Sequence, residues 1–410
     1  MSIVLGVAGI LGASALALVY LMAIIVLSWL TLTVGAFLLE ILSARRVSER
    51  TPAPLSSLSW PQVAVLIPAH NESAGIVATI ADVKSQLRPS DRLLVVADNC
   101  SDDTAEVARA EGAEVFERQD PKRRGKGYAL SAGVAHLSAD PPDIVVVVDA
   151  DCRLSPNALP RLAVRCAQSG RATQANYVMT APIGATLSYD VAEFAWRIKN
   201  FVRPLGLMAL GLPCHLTGSG MAFPWRTISA AKLASGNIVE DMALGVELAL
   251  RGEPPLFCPE AKVTSTFPLS SKALETQRRR WEHGHFQTIV GSARPLILEG
   301  LRNRNFEQIA LGLDLAIPPL TALGLAASAV LVLCLFLRWA GFSTTLFDVA
   351  AADLALLLLA VILAWAKHGQ DVLPASALPR ILPYLTNQLR IFQSIVRTKG
   401  EAQWTPTDRK

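Results

Sequence analysis

Residues 144–152 read IVVVVDADC: five apolar residues, four of them Val, then two aspartates one residue apart. A short apolar run rich in β-branched residues, with no polar alternation, describes a strand buried on both faces, and therefore a parallel sheet. In open α/β sheets ligands collect beyond the carboxyl ends of the strands. Asp149 and Asp151 are expected at that edge, where two carboxylates suit a hard divalent cation, Mg²⁺ or Mn²⁺. A solvated acidic turn is the plain alternative for such a pair, and the buried strand before it favours the ligand.

The pattern continues upstream. VAVLIP (63–68) reads as a strand, followed by AHNES and a helix to about Gln86. RLLVVAD (92–98) reads as a second strand, NCSDDTAEVARAEG as a capped helix closed by Gly112, and AEVFER (113–118) as a third strand. A helix from about Tyr128 to Leu137 then leads into the Val run. Strands alternating with helices of this length predict βαβ units and an α/β fold with a doubly wound, mostly parallel sheet.

Outside this region the composition changes. The chain has 410 residues, 51% of them hydrophobic, and a mean hydropathy of +0.37. Residues 3–39 carry no charged side chain. About 20 apolar residues cross a bilayer, which predicts an integral membrane protein with one long N-terminal span over roughly 14–42. A tight pair of spans is the alternative. The start, MSIVLGV, lacks the basic segment of a cleaved signal peptide. Two further spans are expected at roughly 309–337 and 347–366, with Asp314 and Asp353 near their ends. KALETQRRRWEHGHFQTIV (272–290) and LPRILPYLTNQLRIFQSIVRTKG (378–400) have the character of interfacial helices. The expected organisation is a transmembrane region over 1–45, a catalytic domain over 46–300 ending in an interfacial helix, two transmembrane helices over 301–370, and an interfacial helix and tail over 371–410.

The net charge of +4 is modest, and no nucleic-acid partner is expected. Arg45, Arg46, Arg50 and Lys367 flank the apolar blocks and place the middle section on the cytoplasmic side by the positive-inside rule. The six cysteines form no CxxC pair, which fits reduced thiols.

Several further residues fall where chemistry is expected. Asp98 ends the second strand, and Asn71 and Glu72 follow the first, so polar groups from three strand ends would line one crevice. For Ser101–Asp103 helix capping is the simpler reading. In the loop PKRRGKG (121–127), Lys126 stands between two glycines that allow close backbone approach, which suits a diphosphate. No GxxxxGK[ST] or GxGxxG is present, so neither a P-loop nor a dinucleotide fingerprint is supported. NIVEDMALGVELALRG (237–252) places Glu240 and Asp241 in the first turn of a helix, where acidic residues are also ordinary dipole partners. In QRRRWEHGH (277–285), His283 and His285 are two apart and would not share a helix face.

Taken in order, PAHNE (68–72), Asp98, DAD (149–151), TGSG (217–220), VED (239–241) and QRRRW (277–281), followed by membrane spans, resemble the membrane-bound family 2 glycosyltransferases, which include cellulose and hyaluronan synthases. The resemblance covers about 60–290 and implies a GT-A-like fold. It also implies that Asn71, Glu72 and Asp98 contact the nucleoside, Asp149 lies by the nucleotide, and Asp151 ligates the metal on the diphosphate. Asp241 would be the general base, with Glu240 beside it toward the acceptor, and Gln277, Arg280 and Trp281 would cap the diphosphate and the acceptor. His70 stands where relatives often carry Tyr, VED replaces the usual TED, and no counterpart of a cellulose-synthase gating loop follows QRRRW.

The implied activity is metal-dependent, inverting transfer of a sugar from a nucleotide sugar, a UDP-sugar first, to a lipid-linked or glycan acceptor at the cytoplasmic membrane face. It would serve polysaccharide biosynthesis at a bacterial inner membrane, with export or assembly partners. A processive polysaccharide synthase is the nearest alternative. A membrane nucleotidyltransferase and a non-catalytic nucleotide-binding subunit are alternatives of other classes.

Overall fold

The computed structural model describes residues 2–47, 60–235, 239–270 and 284–381, with Leu274, Gln277 and Trp281 between them. Its centre is an eight-stranded mixed sheet. The strands are β1 (Val63–Ala69), β2 (Arg92–Asp98), β3 (Glu114–Arg118), β4 (Ile144–Val147), β5 (Arg153–Leu154), β6 (Thr173–Thr180), β7 (Met221–Pro224) and β8 (Leu256–Thr266), in the order β3-β2-β1-β4-β7-β6-β8-β5.

The first half of the sheet is the parallel unit expected from the Val run. β1 pairs in parallel with both β2 and β4, and β2 with β3. All four residues of β4 are buried, as a strand covered on both faces requires. The other half reverses direction. β7 is antiparallel to β4 and to β6, β5 is antiparallel to β8, and β6–β8 is parallel with a bulge between Ala175 and Asn176. Four pairings are thus parallel and three antiparallel, and the change of direction falls beside β4.

Helices α2 (Ile76–Lys84), α3 (Thr104–Ala110), α4 (Lys126–Leu137) and α5 (Ala158–Ser169) cover the sheet. One core lies under α2 and α5, with Val65, Ile67, Ile80, Val146 and Leu162. A second lies under α4, with Leu66, Val96, Leu130, Val145 and Phe223.

The N-terminal region is one continuous helix, α1 (Ser2–Arg46). α6 (Leu187–Arg197) and α7 (Arg203–Ala209), joined by a π-helical turn, pack against it. Gly206 permits this approach, because a Cβ there would lie 2.0 Å from the Glu40 carbonyl oxygen. Then come α8 (Trp225–Ser229), α9 (Glu240–Leu250), α10 (Arg294–Asn303), α11 (Phe306–Ala316), α12 (Leu320–Trp339) and α13 (Thr345–His368).

Among the described residues, three helices are long and apolar enough to cross a membrane: Leu16–Arg46, Leu320–Trp339 and Thr345–His368. The single span expected over 309–337 is corrected to two helices. Pro318 and Pro319 remove two backbone donors and bar helical geometry before them, so α11 ends at Ala316 and α12 starts at Leu320. Asp314 accordingly lies buried in α11, against His215 of the catalytic domain, rather than near the end of a span. Asp353 is also buried inside the bundle, where Thr31 Oγ1 donates to its Oδ2 at 2.7 Å. The interfacial helix expected over 378–400 lies almost entirely outside the described residues.

Candidate active site

The turn after β4 is fixed before any ligand binds. Thr79 Oγ1 of α2 donates to the carbonyls of Ala150 and Cys152, both at 2.8 Å. The Asp149 backbone N–H donates to Ser219 Oγ at 3.0 Å. Ser219 belongs to the TGSG loop, which Gln174 of β6 holds in turn: Nε2 donates to the Ser219 carbonyl and Oε1 accepts from the Thr217 N–H, each at 2.9 Å. Gly218 has φ +100° and would bring a Cβ to 3.3 Å from Asp241 Oδ2, so glycine lets this loop close on the first turn of α9.

Between these elements lies a cavity of about 230 Å³ that brings together seven of the expected residues: Lys126, Asp149, Asp151, Glu240, Asp241, Gln277 and Trp281. Lys126 Nζ is 2.5 Å from Asp149 Oδ1 and 3.9 Å from Glu240 Oε1, and donates to the Gly218 carbonyl at 2.7 Å. Burial works against the Lys126 ammonium, yet Asp149, Glu240 and Asp241 together hold its pKa above the ordinary lysine value. Burial pushes the Glu240 carboxyl up to about 8 despite Lys126, with repulsion from Asp241 adding to it. Burial also raises Asp241, against the pull of Lys126 and the Met242 N–H. Ser265 Oγ of β8 donates to Asp151 Oδ2 at 2.7 Å.

Atoms of Asp149, Asp151 and Cys152 lie within 4.8 Å of one another. The thiol is fully buried and soft, so the pair of carboxylates is the part of this set that fits a hard cation.

The expected nucleoside contacts lie at the neighbouring strand ends, outside the cavity lining. Asn71 sits at φ 54° and accepts from the Ser101 N–H at 2.8 Å. Gly75 is flanked by Glu72 Oε2 and the Ala150 carbonyl, at 3.6 and 3.9 Å from an ideal Cβ, which sets Glu72 beside the DAD turn. Asp98 is held by Arg118, whose Nη1 donates to its Oδ1 at 2.6 Å. In the helix-capping stretch, Asp102 accepts from the N–H and hydroxyl of Thr104. Gln277 is buried, and the Trp281 ring stacks at a tilt on Trp196, with centroids 4.7 Å apart. Arg280 lies outside the described residues.

Sequence reasoning did not assemble the far wall of the cavity, formed by Lys199, Asn200, Arg203, His215, Thr217, His285 and Asp314, and missed Lys199, Asn200, Arg203 and His215 altogether. Arg203 donates to Asp314 and, through Nε, to Glu40 Oε2 at 2.7 Å. His215 Nε2 is 3.2 Å from Asp314 Oδ2. Burial would raise Asp314, but Arg203 and His215 outweigh it and hold the carboxyl well below the usual range. Thr217 of TGSG, His285 of QRRRWEHGH and Asp314, an acidic residue in an apolar stretch, stood out in the sequence, but nothing there joined them into one wall.

The family model described as "Glycosyltransferase like family 2" matches residues 61–284. The chain belongs to that family. The chain is 30% identical over 252 residues to glucomannan 4-beta-mannosyltransferase 7 of Arabidopsis thaliana, covering 56% of this chain and 43% of the relative. It is 27% identical over 282 residues to glucomannan 4-beta-mannosyltransferase 1 of Oryza sativa subsp. japonica, covering 61% and 50%. The chain therefore spans about half the length of these relatives. Among solved structures, it is similar to the mannosyltransferase PcManGT from Pyrobaculum calidifontis, in complex with GDP-Man and Mn²⁺. That match has a TM-score of 0.49 and 16% identity, covering 85% of this chain and 99% of that one.

Proposed function

We propose that this glycosyltransferase moves a hexosyl group from a nucleotide sugar to an acceptor hydroxyl, with inversion, at the cytoplasmic face of a membrane. The observation that carries the reading is the single cavity holding Asp149, Asp151, Lys126 and Asp241 under Gln277 and Trp281. Asp149 and Asp151 would hold Mg²⁺ or Mn²⁺, which when bound supplies positive charge to the diphosphate. Lys126, already among these carboxylates, would add a second positive charge beside the leaving group.

Asp241 would take the proton from the acceptor hydroxyl as that oxygen bonds to the anomeric carbon. The bond from that carbon to the diphosphate oxygen breaks, and its electron pair leaves with the nucleoside diphosphate. One displacement inverts the anomeric centre. Asn71, Glu72 and Asp98 are assigned to the nucleoside, Gln277, Arg280 and Trp281 to the cap over the diphosphate and acceptor, and Glu240 to the acceptor side. Arg45, Arg46 and Lys367 gather at the end of the bundle that meets the catalytic domain, where Lys367 Nζ donates to the carbonyls of Arg45 and Val47 at 2.8 and 3.0 Å. That basic rim supports the cytoplasmic orientation.

The donor is left between a UDP-sugar and a mannosyl donor of the kind the relatives' names imply, and synthesis of a β-linked polysaccharide or its precursor is the role we assign. The test is nucleoside-diphosphate release across UDP- and GDP-sugars, with and without Mn²⁺ or Mg²⁺. Metal-dependent release lost in Asp151→Asn supports the reading. Release of pyrophosphate instead would make the enzyme a nucleotidyltransferase, and no turnover with any donor would leave a binding subunit.

A further inference from the structure

The catalytic cavity does not end at its far wall. A second cavity, of about 120 Å³, adjoins it, and Trp196, Lys199, Arg203, Trp281 and His285 line both. The lining of the second is mostly apolar and includes Phe37, Ala192, Phe267, Ile317, Pro318 and Leu323. Phe37 belongs to α1 and Leu323 to the first turn of α12, two helices apolar enough to cross a membrane. Phe37 is eight residues before Arg45, which sets it about 12 Å along the helix from the basic rim, at 1.5 Å per residue. This groove therefore lies at the depth of lipid tails, while the cavity it joins holds the carboxylates.

The wall of the catalytic cavity contains polar groups left without hydrogen bonds. Both side-chain polar atoms of Asn200, Thr217 Oγ1, His215 Nδ1 and Gln277 Oε1 are buried and find no partner among the described residues. All four residues line the catalytic cavity. A buried polar group without a partner costs about 1–3 kcal/mol, so a set of them beside a cavity points to a ligand that supplies the partners. The Asn200 amide and the Thr217 hydroxyl can both give and accept, Gln277 Oε1 accepts, and His215 Nδ1 does one or the other with its protonation, so sugar hydroxyls, which give and accept, can pair with all four.

We propose that the acceptor is a membrane glycolipid. Its terminal sugar occupies the wall of Asn200, His215, Thr217 and Gln277, with a hydroxyl toward Asp241. Its hydrocarbon chain runs along the stacked pair of Trp196 and Trp281, which lines both cavities, into the groove of Phe37, Ala192 and Leu323, and from there into the bilayer. This deepens the glycosyltransferase reading above and rests on it.

The test compares two soluble stand-ins, dodecyl β-glucoside and methyl β-glucoside, with the enzyme held in a detergent that has no sugar headgroup. Glycoside product and nucleoside diphosphate are measured together. The expected result is a kcat/KM at least tenfold higher for the dodecyl glycoside. That ratio should fall toward one in Ala192→Trp and in Leu323→Trp, which fill the groove, and persist in Val332→Trp on the exposed face of α12. Because the ratio is taken within each variant, partial loss of folded protein does not alter it. Equal use of the two glycosides by the wild type overturns the lipid inference and leaves the glycosyltransferase reading standing. So does loss of the ratio in Val332→Trp. No nucleoside diphosphate from any donor overturns both.

Discussion

Arg203 Nε donates to Glu40 Oε2 across 2.7 Å, tying a helix of the membrane bundle to the wall of the catalytic cavity. The same guanidinium donates to the Asp314 side chain and backbone carbonyl, and all three side chains are buried. Such a set adds little over a well-packed apolar one, but losing a single member strands the others. Arg203→Met should therefore destabilise the protein by about 3–5 kcal/mol, read as a lower melting temperature in detergent. Adding Glu40→Gln and Asp314→Asn should recover most of that loss. An unchanged melting temperature in the single variant would show that the pair does not hold α1 in place.

Gly206 sets the same contact from the backbone side. A Cβ there would meet the Glu40 carbonyl oxygen at 2.0 Å, and backbone atoms of Glu40 account for the nearest contacts. Backbone yields less readily than a flexible side chain, so Gly206→Ala should cost about 1–3 kcal/mol by overpacking. It should also weaken the docking of α7 on α1, seen as faster proteolysis of the folded protein. Wild-type stability would mean the helices separate at no cost.

His285 gives the fold a pH dependence. Burial, then Lys199, Arg203 and His215, hold its pKa well below the usual value, with Asp314 pulling the other way. A histidine whose folded pKa is depressed stays neutral in the native state, while the unfolded chain takes up a proton below about pH 6.5. Its contribution is therefore full above that pH and is lost as the pH falls toward the folded pKa. Melting temperature should drop from about pH 6.5 downward, and His285→Gln should flatten part of that drop. Parallel curves would show that His285 takes up a proton as readily in the folded protein as in the unfolded chain.

The parallel strands of the sheet were legible because strands buried on both faces are continuous apolar runs. RLLVVAD is β2 residue for residue, and VAVLIP is β1 short of Ala69. The aspartates at the β4 edge were legible for the same reason, since the residue types change abruptly where the strand meets solvent. β6 gives no such signal: TQANYVMT buries Gln174 and Asn176, and Gln174 serves to hold the TGSG loop. The far wall was illegible because Asn200, Arg203, His215 and Asp314 come from segments distant in sequence, and only the packing of α7 and α11 joins them. Pro318–Pro319 was visible in the sequence, but the apolar residues around it masked the break.

Lys126 stands among the groups assigned to the metal and to the base, with Nζ 2.5 Å from Asp149 Oδ1. A positive charge there opposes a divalent cation on the same carboxylate while favouring the donor's diphosphate. Lys126→Met should thus tighten Mn²⁺ binding to the donor-free enzyme, by roughly tenfold on a Coulomb estimate at intermediate dielectric, and raise the donor KM. Electron paramagnetic resonance of free Mn²⁺ measures the first and steady-state kinetics the second. Unchanged Mn²⁺ affinity would remove Asp149 from the metal site.

The neighbouring carboxylates Glu240 and Asp241 should separate by role. If Asp241 removes the acceptor proton, Asp241→Asn should lower kcat by about 10²–10⁴-fold with donor KM little changed, because the lost interaction develops as the hydroxyl loses its proton. Glu240→Gln keeps size and hydrogen bonding, so it should cost less in kcat. It should also remove an inflection near pH 8 from the rate profile, the value to which burial pushes the Glu240 carboxyl. The acid limb, set by Asp241, should remain, and should lie above the ordinary aspartate range because burial raises that group too. Protonating the base abolishes its function, so activity falls as the pH drops through this limb. An acid limb that vanishes in Glu240→Gln while Asp241→Asn retains turnover would exchange the two assignments and make Glu240 the base.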